Sequence, residues 1–304
     1  MVEAAAFLLS NVTLHRHNVD DLANAVTHDT HPYSVVLLGD SVTHNVAHKY
    51  RIGYVDEVAD LTTHAFAGMP SSLFLLRRYL ESGHHPRHVV IAATRDIFLY
   101  PMDKSMFAYY VASVFTLPSE REFLQKYYAG YPDNHWRPAA LAMTTRLGEP
   151  LFSLIRRPGN EIWTAPEVPP AHPLLETFPS DLASSHDTAW WLQKLIGDPM
   201  IIRPEIKMVI TEICQLSHQY GFSLHLMWAP AETQYRNALK ANGKVQYINE
   251  QLSAVFRENQ TIVSIDDSDN QQVYPYFDSD GFHIKGLGWE QTYANQLTSY
   301  IHGF

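Results

Sequence analysis

Short apolar segments that end in a small residue constrain the fold of this chain more than any other feature. The segments SVVLLG (34–39) and RHVVIAAT (87–94) are continuous apolar runs of this kind. Strands buried on both faces have this composition, and such strands belong to parallel sheets that helices cover. Further strand candidates are LTTHAF (61–66), GFSLHLMWAP (221–230) and TIVSID (261–266). The chain is therefore predicted to build a mostly parallel sheet.

Helical patterns lie between these strand candidates. One helix is predicted to begin near Ser41, and another covers PSSLFLLRRYLESG (70–83), with Pro at its start and Gly at its end, as is usual for helices. Further helices are predicted over 204–220, over 231–257 as one or two helices, and over 284–301. This alternation predicts an α/β fold of three layers, in which helices cover both faces of the sheet.

The segment 97–200 interrupts the alternation. It is rich in aromatic residues and Pro, and it contains the stretch TAPEVPPAHPLLETFP. Helical patterns recur in it, over 104–115, 119–129, 138–155 and 186–196. Because a structureless loop of this length is uncommon in a compact domain, the segment is predicted to be a helical insertion within a single domain of residues 1–304. A lid and a docking surface are both compatible with it, and a small second domain is the alternative.

Composition excludes several classes of function. The formal net charge is -10 and the pI is about 5.9, so a nucleic-acid backbone would be repelled and no nucleic-acid partner is expected. The apolar runs are shorter than the ~20 residues that span a bilayer, and the N-terminus lacks the basic region of a signal peptide. The chain as given is expected to be soluble. Its single cysteine, Cys214, permits no internal disulfide and is predicted to lie on the apolar face of a helix.

Four groups of small or polar residues follow the predicted strands. They are Gly39-Asp40-Ser41, Ala67-Gly68, Thr94-Arg95-Asp96 and, after a loop, Asp280-Gly281-Phe282-His283. In open α/β sheets, ligands bind beyond the carboxyl ends of the strands. A serine on a strand-to-helix turn would expose its hydroxyl at this edge, where it can attack a carbonyl group. Ser41 is therefore the candidate nucleophile.

A serine hydroxyl becomes a good nucleophile when a base takes its proton. His283 is the candidate base, and Asp280 lies three residues before it, where its carboxylate could orient the imidazole ring. Asp278 is an alternative partner, and the spacing does not choose between the two. The plainer interpretation of DSDGFH is a polar turn that caps the last helix, and GDS is also a common turn sequence.

Histidine is abundant, with 17 residues in the chain. His44 and His48 are four residues apart and could share a helix face, as metal ligands do. However, no third ligand is fixed by the spacing, and the sequence contains no HExxH motif. Neither a metal site nor a cofactor is expected.

The sequence blocks around these residues resemble the SGNH (GDSL-like) hydrolase superfamily. VVLLGDSVT resembles its first block, and DGFHIKGLGWEQTYANQL resembles its terminal block, Asp-x-x-His followed by a helix. AFAGMP resembles the block that supplies a glycine oxyanion donor, and VVIAATRD the strand that normally ends in Gly-x-Asn-Asp. The resemblance covers about 34–96 and 221–302, and it implies an SGNH/flavodoxin-like fold.

The resemblance also implies roles for individual residues. Ser41 would be the nucleophile, His283 the base and Asp280 its orienting partner. The N–H groups of Ser41 and Gly68 would donate to the oxyanion.

Two further positions of the resemblance lie near the substrate. Asp40 and Asp96 are expected beside it. Arg95 stands where the family usually has an asparagine donor. Its guanidinium could donate to the oxyanion, bind an anionic group of the acceptor, or block the oxyanion site.

The activity implied by the resemblance is that of a serine esterase or O-acyltransferase with an acyl-serine intermediate. The acyl group would be short, with acetyl expected, and the substrate an acylated carbohydrate, a cell-surface polymer or another acyl donor. The insertion and the tail YFDSDGFHIKGLGW are similar to SGNH proteins that accompany bacterial acyl transfer to teichoic acid and alginate. This implies a membrane-bound acyltransferase partner and an extracytoplasmic location. The alternative is an SGNH-fold binding or assembly module that is catalytically weak or inactive.

Overall fold

The computed structural model describes residues 29–52, 57–63, 68–98, 201–231, 233–266, 284 and 287–304. The predicted insertion lies outside these residues from position 99 onward, as do Asp278, Asp280 and His283. None of the described helices combines the length and the hydropathy that a bilayer-spanning helix needs.

Strands and helices alternate along the described residues. The strands are β1 (Val35–Gly39), β2 (Val58–Asp60), β3 (His88–Ala93), β4 (Ser223–Trp228) and β5 (Val263–Asp266). The helices are α1 (Ser41–Lys49), α2 (Gly68–Glu81), α3 (Pro204–Tyr220), α4 (Thr233–Ala241), α5 (Lys244–Glu258) and α6 (Leu287–Ile301). A short 3-10 helix, Arg95–Phe98, follows β3. The predicted alternation is confirmed, and the pattern over 231–257 corresponds to two helices.

The strands form one parallel sheet in the order β2-β1-β3-β4-β5. The chain enters the sheet at the interior strand β1 and continues to β2 at the edge. It then crosses back to β3, on the other side of β1. The connections that leave β1 and β3 therefore diverge at the carboxyl edge. Such a switch point in the strand order opens the crevice where α/β proteins bind ligands.

The second strand begins three residues earlier than predicted. The sequence predicts a strand over 61–66, whereas β2 ends at Asp60. The N–H groups of Leu61 and Thr63 still donate to carbonyl groups of β1, at 2.8 and 3.0 Å, so the chain stays beside β1. Asp60 makes the strand hard to recognise in the sequence, because a carboxylate is rare inside a sheet. It is tolerated because Thr62 donates to it from both its N–H and its hydroxyl group.

Helices cover both faces of the sheet, which confirms the three predicted layers. Val36 and Leu38 of β1 join an apolar cluster with α2, α3, α4 and α5. Their neighbours Val35 and Leu37 join a second cluster with α1 and α6. Full burial of each such side chain stabilises the fold by about 1.5–3 kcal/mol. Cys214 is buried in the first cluster, where burial raises the pKa of its thiol.

Gly39 lets the ends of β1 and β3 approach each other closely. A Cβ atom at Gly39 would lie 2.3 Å from the carbonyl oxygen of Ala92 and 3.0 Å from the Cβ of Thr43. The first distance is far below van der Waals contact with a backbone atom that cannot rotate away. Only glycine fits here, and the residues that follow both strands are brought side by side.

A pair of histidines lies near the amino ends of β3 and β4. Nδ1 of His88 lies 3.1 Å from Nε2 of His225, and the ring of Phe304 packs on His225 at a centroid distance of 3.9 Å. Burial, with a smaller effect of the neighbouring His88, lowers the pKa of His225 to about 4 from its ordinary value of 6.5. The folded protein therefore keeps this ring neutral.

This histidine is expected to make stability depend on pH. In the unfolded chain His225 takes up a proton near its ordinary pKa of 6.5, whereas in the folded protein it does so only near 4. Its contribution is complete above pH 6.5 and is lost as the pH falls from 6.5 towards 4, by about 1–2 kcal/mol because the ring is partly exposed. Urea unfolding at several pH values measures this loss.

The comparison that isolates His225 uses two variants. His225→Phe keeps the contact with the Phe304 ring but cannot take up a proton, so its loss of stability on acidification should be smaller than that of the wild type. His85→Gln, at an exposed position, should follow the wild type. Equal acid sensitivity of the wild type and His225→Phe would show that this ring does not carry the effect.

Candidate active site

Ser41 is the first residue of α1 and follows β1 with one residue between them. It therefore stands at the carboxyl edge of the sheet, beside the switch point between β1 and β3. Its relative exposure is 8%, so it is shielded from bulk water. The first turn of a helix carries partial positive charge, which stabilises negative charge that develops nearby. The predicted strand-to-helix turn is present.

Asp40 holds this turn in place. One carboxylate oxygen, Oδ1, accepts from the N–H groups of Val42 and Thr43 at 3.1 and 3.4 Å, which caps helix α1. The other, Oδ2, accepts from the N–H and the hydroxyl group of Thr94, at 2.7 and 2.6 Å. Thr94 directly follows β3. One carboxylate thus ties the start of the serine helix to the end of the central strand.

These contacts correct the expectation that Asp40 lies against the substrate. The side chain has 0% relative exposure, and both of its oxygens accept hydrogen bonds from the protein. Hydrogen bonds from several donors offset the energetic cost of burying a carboxylate. The geometry gives Asp40 a positioning role, in which it fixes the orientation of the turn that carries Ser41.

Thr43 links α1 to the last helix. Its hydroxyl donates to the carbonyl oxygen of Ala92 at 2.7 Å. Because the single hydroxyl proton is used there, the bond of 2.9 Å to the hydroxyl of Tyr293 is one in which Tyr293 donates. An ion pair between Lys49 and Glu290 joins the same two helices. The helix that follows the Asp-x-x-His segment is thereby attached to the helix that begins with Ser41.

Gly68 begins helix α2 with a φ of +66°. Residues other than glycine rarely adopt this conformation, at a cost of roughly 1–2 kcal/mol. The carbonyl oxygen of Gly68 accepts from the hydroxyl of Ser71 at 2.8 Å, and that hydroxyl lies 3.4 Å from the hydroxyl of Thr63. Since the N–H of Thr63 donates to Gly39, a chain of contacts connects Gly68 to the end of β1.

Arg95 is buried, with 5% relative exposure. The central carbon of its guanidinium lies 4.6 Å from the ring centroid of Trp228, a cation–π contact. Trp228 ends β4 and donates from its indole nitrogen to Asn249 at 3.1 Å. The contact holds a positive charge near the carboxyl edge, one strand from Ser41. Asp96 belongs to the short 3-10 helix, and its side chain lies outside the described residues.

The structure thus brings the ends of β1, β2 and β3 together around Ser41, while Asp280 and His283 lie outside the described residues. Ile284, the residue after His283, is buried in the same apolar cluster as Val42 and Val46 of α1.

Sequence reasoning misses a second polar group at this edge. Nδ1 of His44 lies 3.1 Å from the hydroxyl oxygen of Thr62, and Thr62 in turn donates to Asp60. The spacing Asp-x-Thr is typical of a turn in which a side chain accepts from a nearby N–H, and this signal could have placed Asp60 and Thr62 together. Their contact with His44 depends on the pairing of β1 with β2.

Within the described part of the chain, no group of three or more metal-ligating side chains is gathered.

No family model matches the chain, and no curated protein matches it in sequence. Among solved structures, it is similar to a GDSL-like lipase from Bacteroides thetaiotaomicron, with 11% identity, a TM-score of 0.41, and 93% of this chain and 98% of that chain covered. It is also similar to a candidate acylhydrolase from Bacteroides fragilis, with 12% identity, a TM-score of 0.41, and 93% and 97% covered. Both are similarities of fold, and the chemistry of the site rests on its own residues.

Proposed function

We propose that this protein is a serine esterase or O-acyltransferase of the SGNH type that acts through an acyl-Ser41 intermediate. The observation that carries the proposal is the position of Ser41 on the first turn of α1, held at the switch point by Asp40 and Thr94. A shielded hydroxyl on a rigid helix start is well placed for attack on a carbonyl carbon.

In the proposed reaction, Ser41 Oγ attacks the carbonyl carbon of an ester while His283 takes the hydroxyl proton. The N–H groups of Ser41 and Gly68 donate to the negatively charged oxygen of the tetrahedral intermediate. The intermediate collapses, and the departing alcohol receives the proton from the His283 imidazolium. Water or an acceptor hydroxyl then attacks the acyl-serine while the same imidazole takes its proton. The second tetrahedral intermediate collapses, the acyl product leaves, and Ser41 Oγ takes the proton back from the imidazolium. Asp280 orients the imidazole ring and stabilises its charge.

Two contacts of the described residues support the approach of His283 to Ser41. Ile284, its neighbour in the chain, is buried in the cluster that contains Val42. Helix α6 is bonded to α1 through Tyr293 and Thr43. The residue directly after His283 and the helix that follows it are therefore both held close to the serine helix.

The proposal extends to short acyl groups, and to acetyl in particular, on carbohydrates or cell-surface polymers. A membrane-bound acyltransferase as partner and an extracytoplasmic location belong to the same proposal. The resemblance of the insertion and the tail to polymer-acylating systems supports these points. Release of acetate from an acetylated polysaccharide, compared with release of octanoate from the matched octanoyl ester, tests the acyl preference.

Trapping the acyl-enzyme tests the proposed activity. Mixing the protein with an aryl acetate should give a burst of the phenol, and mass spectrometry should locate an acetyl group on the peptide that contains Ser41. Ser82→Ala, at an exposed position remote from the sheet edge, should still form the adduct.

A protein that forms no adduct with any ester or acyl donor, but binds a polysaccharide, would support the second candidate function. That candidate is a non-catalytic binding module, which the burial of Arg95 against Trp228 favours.

Substitutions of Arg95 show whether this residue assists the reaction or blocks the site. If its fixed charge stabilises the oxyanion, we expect Arg95→Ala to lower kcat/KM on an aryl acetate by about 10²–10³-fold. Arg95→Asn should recover part of this loss, because an amide can donate to the same oxygen. Arg87→Ala, at an exposed position, is the control and should keep the wild-type rate. A large gain in rate for Arg95→Asn would show that Arg95 obstructs the site.

A further inference from the structure

The histidine pair of β3 and β4 projects from one face of the sheet. His88 is the first residue of β3, and His225 of β4 lies beside Val90 in the register of the two strands. Residues two apart in a strand share a face, so the rings of His88 and His225 lie on the same side. Val90 belongs to the cluster of α1 and α6, which identifies the face. The two histidines are 137 positions apart in the chain, so sequence spacing does not reveal the pair.

The two facing nitrogens have nearly the separation of two ligands on one metal ion. Nδ1 of His88 lies 3.1 Å from Nε2 of His225, with the ring centroids 5.2 Å apart. Two nitrogens that bind a tetrahedral zinc ion at about 2.0–2.1 Å are about 3.3 Å from each other. A small rotation of the side chains therefore suffices to replace the hydrogen bond between the rings with a metal ion in the plane of both.

A metal ion needs the ring protons on the two outer nitrogens. Nδ1 of His225 is buried and has no hydrogen-bond partner among the described residues, so no existing bond prevents it from carrying the proton. His88 is partly exposed, and moving its proton from Nδ1 to Nε2 leaves the ring neutral. At pH 7.5 both rings are uncharged, since burial lowers the pKa of each below its ordinary value of 6.5. Each ring can then offer a lone pair to the same ion.

The neighbouring side chains do not compete for these two nitrogens. The ring of Phe304 packs on both imidazoles, at centroid distances of 4.8 Å from His88 and 3.9 Å from His225. It is nearly parallel to the His88 ring, at 18°, so it covers ring faces, whereas a metal ion binds in the ring plane. Arg87 precedes His88, but it is exposed, so water and salt screen its charge.

We propose that His88 and His225 bind one divalent transition-metal ion such as Zn²⁺ or Cu²⁺, with water molecules as its remaining ligands. These ions favour imidazole nitrogen, whereas Mg²⁺ and Ca²⁺ favour oxygen. The described residues gather no group of three ligating side chains, so the ion keeps open positions and binds reversibly. The site lies at the amino ends of β3 and β4, opposite the edge that carries Ser41, and it is independent of the proposed function.

Calorimetric titration of the whole, EDTA-treated chain with Zn²⁺ at pH 7.5 tests the site. The wild type should bind zinc, and its tightest site should weaken at least about tenfold in His88→Gln and in His225→Phe, each of which removes one of two ligands. His48→Gln is the matched control, because it removes an exposed ring from the other described pair, stacked on His44 at 5.7 Å. It should keep the wild-type Kd. Mg²⁺ should give no binding.

Electron paramagnetic resonance with one equivalent of Cu²⁺ counts the nitrogen ligands. The wild type should show coupling to two imidazole nitrogens, and His88→Gln should lose this pattern. A wild type that binds no zinc, or a loss of less than about tenfold in His88→Gln, would overturn the proposal. Loss of the site in His48→Gln would overturn it as well and place the ion on α1. If His225→Phe does not fold, His88→Gln carries the test, since that ring is partly exposed.

Discussion

Ser41→Ala is expected to hydrolyse an aryl acetate at least about 10³-fold more slowly than the wild type, with almost unchanged stability. The chemistry needs the hydroxyl, and alanine supplies none. The turn does not need it, because the capping bonds of α1 come from the carboxylate of Asp40. Alanine is also a good helix former, so the free energy of unfolding should change by less than about 1 kcal/mol. Initial rates and urea unfolding of the same preparation measure both quantities.

Ser82→Ala is the matched control, since it removes a hydroxyl at the exposed end of α2. It should keep the wild-type rate. A Ser41→Ala protein that turns over the ester at the wild-type rate would remove Ser41 from the mechanism. Loss of both rate and stability would instead show that the hydroxyl supports the turn.

Asp40→Ala is expected to lower the free energy of unfolding by about 3–5 kcal/mol and to abolish turnover. The substitution leaves four donor groups without their acceptor: the N–H groups of Val42, Thr43 and Thr94, and the hydroxyl of Thr94. Loss of a helix cap alone costs about 1 kcal/mol, and each buried donor left without its charged acceptor costs about 1–3 kcal/mol. The expected total loss is smaller than the sum of these separate costs, because the end of β3 can relax once the contact is lost. Urea unfolding measures the loss.

Thr94→Val separates the two halves of this contact. It removes the hydroxyl bond of 2.6 Å to Asp40 but keeps the backbone bond and the helix cap, so a loss of about 1–2 kcal/mol is expected. The double variant Asp40→Ala/Thr94→Val should lose less than the sum of the single losses, by more than about 0.5 kcal/mol. Strict additivity would contradict the direct contact between the two side chains.

The fold was largely predictable because its signals are local. The apolar runs of β1 and β3, and the Pro-started helix α3, lie where the sequence predicts them. The second strand was misplaced because Asp60 interrupts its apolar pattern. What makes Asp60 tolerable is a pair of hydrogen bonds from Thr62, and hydropathy does not register such bonds.

The site was less predictable because its contacts join distant parts of the chain. Ser41 follows from the sequence, since the strand-to-helix turn that presents it is local. Asp40 was expected at the substrate, whereas its partner Thr94 lies 54 residues away and turns it inward. The stacking of Arg95 on Trp228 depends on the register that pairs Ala93 with Trp228. The roles of Asp280 and His283 stay predictions.

The bond between Thr43 and Tyr293 spans 250 positions of the chain, which bears on when the candidate active site is completed during synthesis. The segment up to β3 can emerge from the ribosome and begin to pair its strands while α6 has not been made. Before Tyr293 is made, the serine helix has its contact with the end of β3 but lacks the contact with α6, and contacts of such long range form late in folding. If the proposed function holds, nascent chains stalled before α6 should carry Ser41 without esterase activity, and this activity should appear only once α6 is in place.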